Sequence, residues 1–147
     1  MADKVTPPND LTSTLNLRQL RSIPESVISD DLYKSLTIEQ QNVVKNLPAG
    51  AGILLVLKGA GVGGRYLLDS NETKIGRDIH NEICLDDITV SRSHALISKT
   101  DGYSIKDLGS LNGTYVNAIA VRESKVLPGD EVQIGKYHLT LFVGEKS

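Results

Sequence analysis

From Ile53 onward the chain is written in short apolar segments, each cut off by a glycine or a turn pair before a helix could establish itself. "ILLVLKG" is a continuous apolar run of buried-strand length, and "RYLLDS", "TKIGR" and "EICLDD" follow at close spacing. "HALISKT" and "YSIKDLG" flank Asp101-Gly102, a pair that favours a type I′ hairpin turn because both positions need positive φ. "EVQIG" and "YHLTLFVG" complete the series after the Pro128-Gly129-Asp130 turn. No window here carries a convincing 3.6-residue period, so helices cannot organise this region. Many short strands with glycine-rich corners, over roughly one hundred residues, predict an all-β sandwich. Aromatic residues make up 4% of the chain and Trp is absent, so the core must be mostly aliphatic.

Ahead of "NLPAGAG", residues 46–52, the texture differs. Pro7, Pro8, Pro24 and scattered polar residues break every apolar run. "SLTIEQQNVVKNLP" carries a capping box, with Thr37 as N-cap and Gln40 three residues on, and Pro48 stops the helix it starts. The apolar face of that helix (Val43, Val44, Leu47) is thin, which predicts at most one short, marginal helix. Residues 1–49 are therefore expected to be a largely flexible tail and residues 50–147 the folded domain.

The formal net charge is -2, with both signs balanced on either side of Pro48. That excludes a polybasic surface for nucleic acid or a membrane. A single cysteine, Cys84, rules out an intrachain disulfide and fits a reducing compartment. Cys84 is expected to be a buried small apolar residue, because the partners of a zinc or redox site are missing. "MADKVTPPND" lacks the apolar segment of a signal peptide, and no later run could span a bilayer. The expectation is a soluble cytoplasmic protein without a cofactor.

"TVSRSHALIS" places Ser91 and His94 three residues apart, and they could be the nucleophile and base of a hydrolase. Side chains three apart on an extended chain project to opposite faces, however, and nothing here forms a helix. A nucleophile elbow and a residue to orient the histidine are also missing. His94 is better assigned to pinning the loop beneath it.

The loops suit a different chemistry. "KIGRD" ends a strand with Gly76 and Arg77, "TVSRSH" offers the Ser91 hydroxyl and the Arg92 guanidinium, and "LGSLNGTYVN" adds Ser110, Asn112 and Gly113. An arginine fork meets phosphate oxygens bidentately, and a serine adds one short charge-assisted bond. An asparagine amide both donates and accepts, so it can hold a peptide main chain. Each of these is an ordinary turn residue when taken alone. Together they fit a dianionic phosphoryl group on a peptide.

Gly76-Arg77, Ser91-x-x-His94 and Asn112-Gly113, followed by "LPGDEVQIG", resemble the forkhead-associated (FHA) domain over about residues 50–145. The resemblance implies an eleven-stranded sandwich whose apical loops bind phosphothreonine peptides. Arg77 and Ser91 would hold the phosphate with Arg92 and Ser110 beside them, Asn112 would hold the peptide backbone, and Gly76, His94 and Gly113 would support the loops. "LDDITVSRSHA", "DLGSLNGTYVN" and "LPGDEVQIGKYHL" further resemble the small actinobacterial FHA regulators of the OdhI/GarA type. Such proteins bind and inhibit the 2-oxoglutarate dehydrogenase E1 component, and some act on glutamate dehydrogenase or glutamate synthase. Serine/threonine kinases modify a Thr-Thr pair in their tail, which then occupies the protein's own FHA site. The tail here departs from that pattern: where the family reads E-T-T-S-V-F-R, this chain reads "DLTSTLNLRQL". Thr12 matches the second threonine and Thr14 is a further phosphorylation candidate. Taking residues 14–50 as a flexible coil gives a reach of about 30–35 Å, enough to meet the apical loops of a domain with a radius of gyration of about 13 Å. A generic FHA phosphopeptide adaptor in kinase signalling stays open as the alternative.

Overall fold

The computed structural model describes residues 29–145. Two short helices come first: α1 (Asp30–Ser35) and α2 (Ile38–Lys45). Eleven strands follow: β1 (Gly52–Gly59), β2 (Arg65–Leu68), β3 (Glu72–Gly76), β4 (Ile83–Cys84), β5 (Ala95–Lys99), β6 (Tyr103–Asp107), β7 (Thr114–Val116), β8 (Ile119–Val121), β9 (Glu123–Val126), β10 (Glu131–Ile134) and β11 (Tyr137–Val143). They form two sheets, one in the order β2-β1-β11-β10-β7-β8 and one in the order β4-β3-β5-β6-β9. All pairings are antiparallel except β3 with β4.

The sandwich core is aliphatic, as the composition requires. Leu54, Val56, Ile75, Ile105, Val132, Ile134 and Leu139 are all fully buried between the sheets. The unbroken apolar run of β1 has a specific cause, because its two faces are covered by different layers. Leu54 and Val56 face the inter-sheet core, whereas Ile53 and Leu55 join Leu36 and Phe142 in a second cluster on the outer side.

That outer cluster brings residues ahead of 50 onto the sandwich. Among the described residues two helices rather than one precede residue 50, and both lie on the β1–β11 face. Each starts with a cap: Ser29 Oγ accepts from the Leu32 N–H at 3.2 Å, and Thr37 and Gln40 form the predicted capping box at 3.1 and 3.0 Å. Neither helix contains a buried residue. The missing apolar content comes from Leu36 between them, which is 4% exposed, with Leu32, Tyr33, Val43, Val44 and Leu47 packed around it. The Gln41 amide ties the pair together by donating to the carbonyls of Tyr33 and Leu36. Asp30 and Tyr33 lie beside Val143 and Glu145, so α1 starts at the end of β11 opposite the β10–β11 turn. Thr12 and Thr14 fall outside the described residues.

The hairpin turn between β5 and β6 is present, with φ of 57° at Asp101 and 90° at Gly102. The last ladder pair is Lys99–Tyr103, so three residues rather than two make the connection. Cys84 corrects the expectation of burial. In the two-residue β4, Ile83 takes the inward place and Cys84 is exposed, its Sγ donating weakly to the Arg77 carbonyl at 3.4 Å. Among the described residues no helix is long and apolar enough to cross a membrane.

Candidate phosphopeptide site

Three loops meet at the β10–β11 end of the sandwich: 77–82 after β3, 85–94 before β5, and 108–113 after β6. They are joined by hydrogen bonds between named atoms. The Arg77 N–H donates to the Ser91 carbonyl at 2.9 Å, and the His94 N–H to the Ile75 carbonyl at 2.9 Å, so β3 continues its pairing into the next loop. Gly76 allows this approach. A Cβ there would stand 2.0 Å from the Arg92 carbonyl oxygen and 2.6 Å from the Asn81 amide nitrogen. That Asn81 amide donates to the carbonyls of both Asp78 and Arg92 at 2.8 Å, clamping the first two loops.

The third loop is tied to the second from three directions. The Leu111 N–H donates to Ser91 Oγ at 3.0 Å, and Asn112 Nδ2 donates to the Thr89 carbonyl at 3.0 Å. His94, fully buried, makes the third link. Its Nδ1 accepts from the Ser91 N–H at 3.0 Å, so the proton sits on Nε2, which donates to the Gly113 carbonyl at 2.9 Å. Ser91 and His94 therefore do meet, because residues 91–93 bend instead of extending. They meet through the serine's backbone, and the hydroxyl is held by Leu111 instead of by the imidazole. Both ring nitrogens are occupied in cross-bracing the loops, which leaves no base for a nucleophile.

His94→Ala should leave the Ser91 N–H and the Gly113 carbonyl without partners in a buried place. That costs about 2–3 kcal/mol, a fall in Tm on the order of 10 °C for a domain of this size. Thermal unfolding of the full chain checks it, and an unchanged Tm would remove the bracing role.

The third loop is shaped by Asp107. Its Oδ2 accepts from the N–H groups of Gly109 and Ser110 at 3.0 Å, and its Oδ1 accepts from the Ser110 hydroxyl and, at 2.7 Å, from Thr114 Oγ1. Burial alone would raise this carboxyl, but the bonds from Ser110, Thr114 and Gly109 outweigh it and hold it below the ordinary range. The Ser110 hydroxyl also accepts from the Gly113 N–H at 2.9 Å, so this residue is engaged inside its own loop. Asp87 plays a comparable part in the second loop, accepting from the hydroxyl and N–H of Thr89, which hold its carboxyl low. Thr89 Oγ1 in turn accepts from the Lys136 N–H at 3.0 Å, linking the β10–β11 turn to the site.

Arg77 and Arg92 supply the positive charge. Arg92 is exposed, while Arg77 is half-buried and its Nε is shielded from solvent with no hydrogen-bond partner. An unpartnered guanidinium N–H at that depth is a donor held ready for an acceptor. The sequence reading names Gly76, Arg77, Ser91, Arg92, His94, Ser110, Asn112 and Gly113, and all eight lie on or beside these loops. It misses Asn81, Asp87, Thr89 and Asp107, the residues that set the loop shapes.

The FHA domain family model matches residues 73–135. The chain is 42% identical over 127 residues to the oxoglutarate dehydrogenase inhibitor of Corynebacterium jeikeium, covering 82% of this chain and 88% of that one. It is 47% identical over 105 residues to the glycogen accumulation regulator GarA of Mycolicibacterium smegmatis, covering 71% and 66% respectively. A solved structure from an analysis of phosphothreonine-dependent FHA domain interactions superposes with a TM-score of 0.59 at 31% identity, over 65% of this chain and 99% of its own. The two relatives are named as an inhibitor and a regulator, and the FHA domain that this chain matches does not define an enzyme family. The sandwich, the three braced loops and these matches together establish that the chain belongs to the FHA-domain family, alongside the oxoglutarate dehydrogenase inhibitors and GarA.

Proposed function

We propose that this protein is a cytoplasmic phosphothreonine-binding regulator that binds and inhibits the E1 component of 2-oxoglutarate dehydrogenase. The observation that carries the binding chemistry is the shielded, unpartnered Nε of Arg77, set among loops that Ser91 and Asn112 hold together. Arg77 and Ser91 take the phosphate, with Arg92 at the rim, and Asn112 takes the peptide backbone. Relatives named for inhibiting oxoglutarate dehydrogenase support the choice of target. Glutamate dehydrogenase or glutamate synthase are further targets of the same face. A serine/threonine kinase modifies Thr12, with Thr14 in reserve, and the phosphorylated tail fills the face and excludes the enzyme. The added charge of about -1.5 to -2 beside Arg77 and Arg92 drives that exchange.

Steady-state 2-oxoglutarate dehydrogenase activity tests the reading, with unmodified protein and with protein that a kinase has phosphorylated. Unmodified chain should inhibit, phosphorylated chain should not, and Thr12→Ala/Thr14→Ala should inhibit under both conditions. Undiminished activity at saturating unmodified protein would remove the target assignment. Inhibition that survives phosphorylation would remove the switch.

A further inference from the structure

The sandwich has a second opening at the pole away from the three loops, where β5 turns into β6. Lys99, Tyr103 and Val126 stand there in one cross-strand row, Lys99 paired with Tyr103 and Tyr103 with Val126. Side chains directly opposite on neighbouring strands share a face, so this row ends the inter-sheet layer. Tyr103 and Val126 are buried, while Lys99 is exposed with its ammonium 5.9 Å from the centre of the Tyr103 ring. Lys125 joins from the neighbouring place on β9, its ammonium donating to the Asp101 carbonyl at 3.2 Å. Leu127, Pro128 and Val143 complete the apolar wall of a cavity of about 280 Å³. Gly50 and Gly102 leave its mouth uncovered, since a Cβ at either would have nothing within 4 Å. The ring itself is fixed, because the Tyr103 hydroxyl donates to the Gly50 carbonyl at 3.0 Å.

We propose that this cavity binds a small organic monocarboxylate with a compact apolar body. The sign follows from the rim, which sets the ammonium groups of Lys99 and Lys125 against the one carboxylate of Asp101. The body follows from the walls, a phenol ring and aliphatic side chains whose one polar atom, the Tyr103 hydroxyl, is committed to Gly50. The size follows from the volume. At about 30 Å³ for each molecule of liquid water, it admits roughly nine or ten non-hydrogen atoms. A few charged groups over a mostly apolar wall is the usual make-up of a small-molecule pocket. The carboxylate lies between Lys99 and Lys125, and the apolar body replaces water against Tyr103 and Val126. A bare inorganic anion would leave that wall wet, and a neutral ligand would gain nothing from the two ammonium groups. Because β6 runs from Tyr103 at this pole to Asp107 at the other, this ligand and a phosphopeptide can be held at once.

Phenylacetate, which is of that size, is the probe, titrated by NMR into the isotope-labelled full chain. It should shift the Lys99, Tyr103 and Val126 signals and leave those of Arg77 and Ser91 in place. For so small a ligand the Kd should be on the order of 0.1–1 mM. Acetate keeps the charge without the body, and 2-phenylethanol keeps the body without the charge. Each should bind about tenfold more weakly or worse. Lys99→Gln/Lys125→Gln should weaken phenylacetate binding by about tenfold, with phosphothreonine-peptide affinity unchanged within about twofold. Both lysines are exposed, so Tm should hold. Lys99→Gln alone keeps the Lys125 bond to Asp101 and should still weaken the probe by about threefold. The site is overturned by shifts confined to Arg77 and Ser91, by no shifts at about 10 mM probe, or by equal binding of acetate or 2-phenylethanol. Unchanged binding by the single and double variants would overturn it as well. An acetylated peptide ending in phenylalanine that binds more than about tenfold better than phenylacetate would make the cavity a seat for a chain terminus, and would overturn the small-molecule assignment.

Discussion

Arg77→Ala should abolish phosphothreonine-peptide binding by the full chain, with a loss on the order of a hundredfold or more by calorimetry. Two charge-assisted bonds from one guanidinium contribute about 1.5–3 kcal/mol each, and each 1.4 kcal/mol is a factor of ten. Arg77→Lys should recover little, because a point charge cannot reproduce the planar fork. Stability should move the other way. The Arg77 Nε is shielded and unpartnered in the free protein, an arrangement that favours ligand at the expense of the empty fold. Arg77→Met keeps the stem and removes the orphaned donor, so its Tm should equal or exceed that of the unaltered chain. Retained peptide affinity in Arg77→Ala would remove Arg77 from the site, and a large fall in Tm for Arg77→Met would show that its role is structural.

Gly76→Ala should cost about 4 kcal/mol or more, enough to lower Tm by roughly 15–30 °C, and should erase the site with it. The cause is contact and not backbone freedom. The new methyl would lie 2.0 Å from the Arg92 carbonyl oxygen and 2.8 Å from its carbon, and a backbone group cannot swing aside as the tip of a flexible side chain does. Moving residues 91–92 away breaks the Arg77 N–H to Ser91, Asp78 N–H to Arg92 and Asn81 amide to Arg92 bonds together. It also carries Ser91 Oγ off the Leu111 N–H, so the third loop loses its tie. Thermal unfolding and peptide titration on one preparation check both halves. A stable Gly76→Ala protein that binds normally would mean that the two loops do not need this close approach.

Much of this fold is legible in the sequence where burial imposes a pattern. The β1 run is apolar throughout because both of its faces are covered, and the Asp101-Gly102 turn shows itself by the backbone angles it demands. Strands β7, β8 and β9 leave little trace as patterns. They hold three or four residues each, and β8 exposes Ile119 and Ala120, so neither alternation nor an apolar run survives. The first helix, and the packing of the pair, elude the pattern for another reason. The pair's cohesion lies in Leu36, which belongs to neither helix, and in a sheet face that a local window cannot see. At the proposed site, Arg77, Ser91, His94 and Asn112 stand out in the sequence because their types announce a chemistry. Asn81 and Asp107 look like ordinary polar residues, because the Arg92 partner of Asn81 is brought up by another loop and the bonds of Asp107 depend on how its own loop turns. The separation expected of Ser91 and His94 fails because that rule holds only for an extended chain, and residues 91–93 turn.

The seating of the two helices has a mechanical consequence for the proposed switch. They fix the chain at Ser29, at the end of the sandwich away from the three loops, so fifteen residues, and not the longer count back from Gly50, separate Thr14 from the fixed point. Fully drawn out, fifteen residues span about 50 Å, while β11, the seven-residue strand between the two poles, spans about 24 Å. In the proposed switch that length would suffice for closure on the same molecule, with roughly twofold slack. Removing about nine residues between 15 and 28 would leave about 20 Å, too short to travel the length of the domain. A phosphorylated chain trimmed in this way could fill only a neighbour's site, and its closure would become concentration-dependent, with dimers in sedimentation where the parent stays single. The same phosphate would then be a glue between molecules instead of a lock within one.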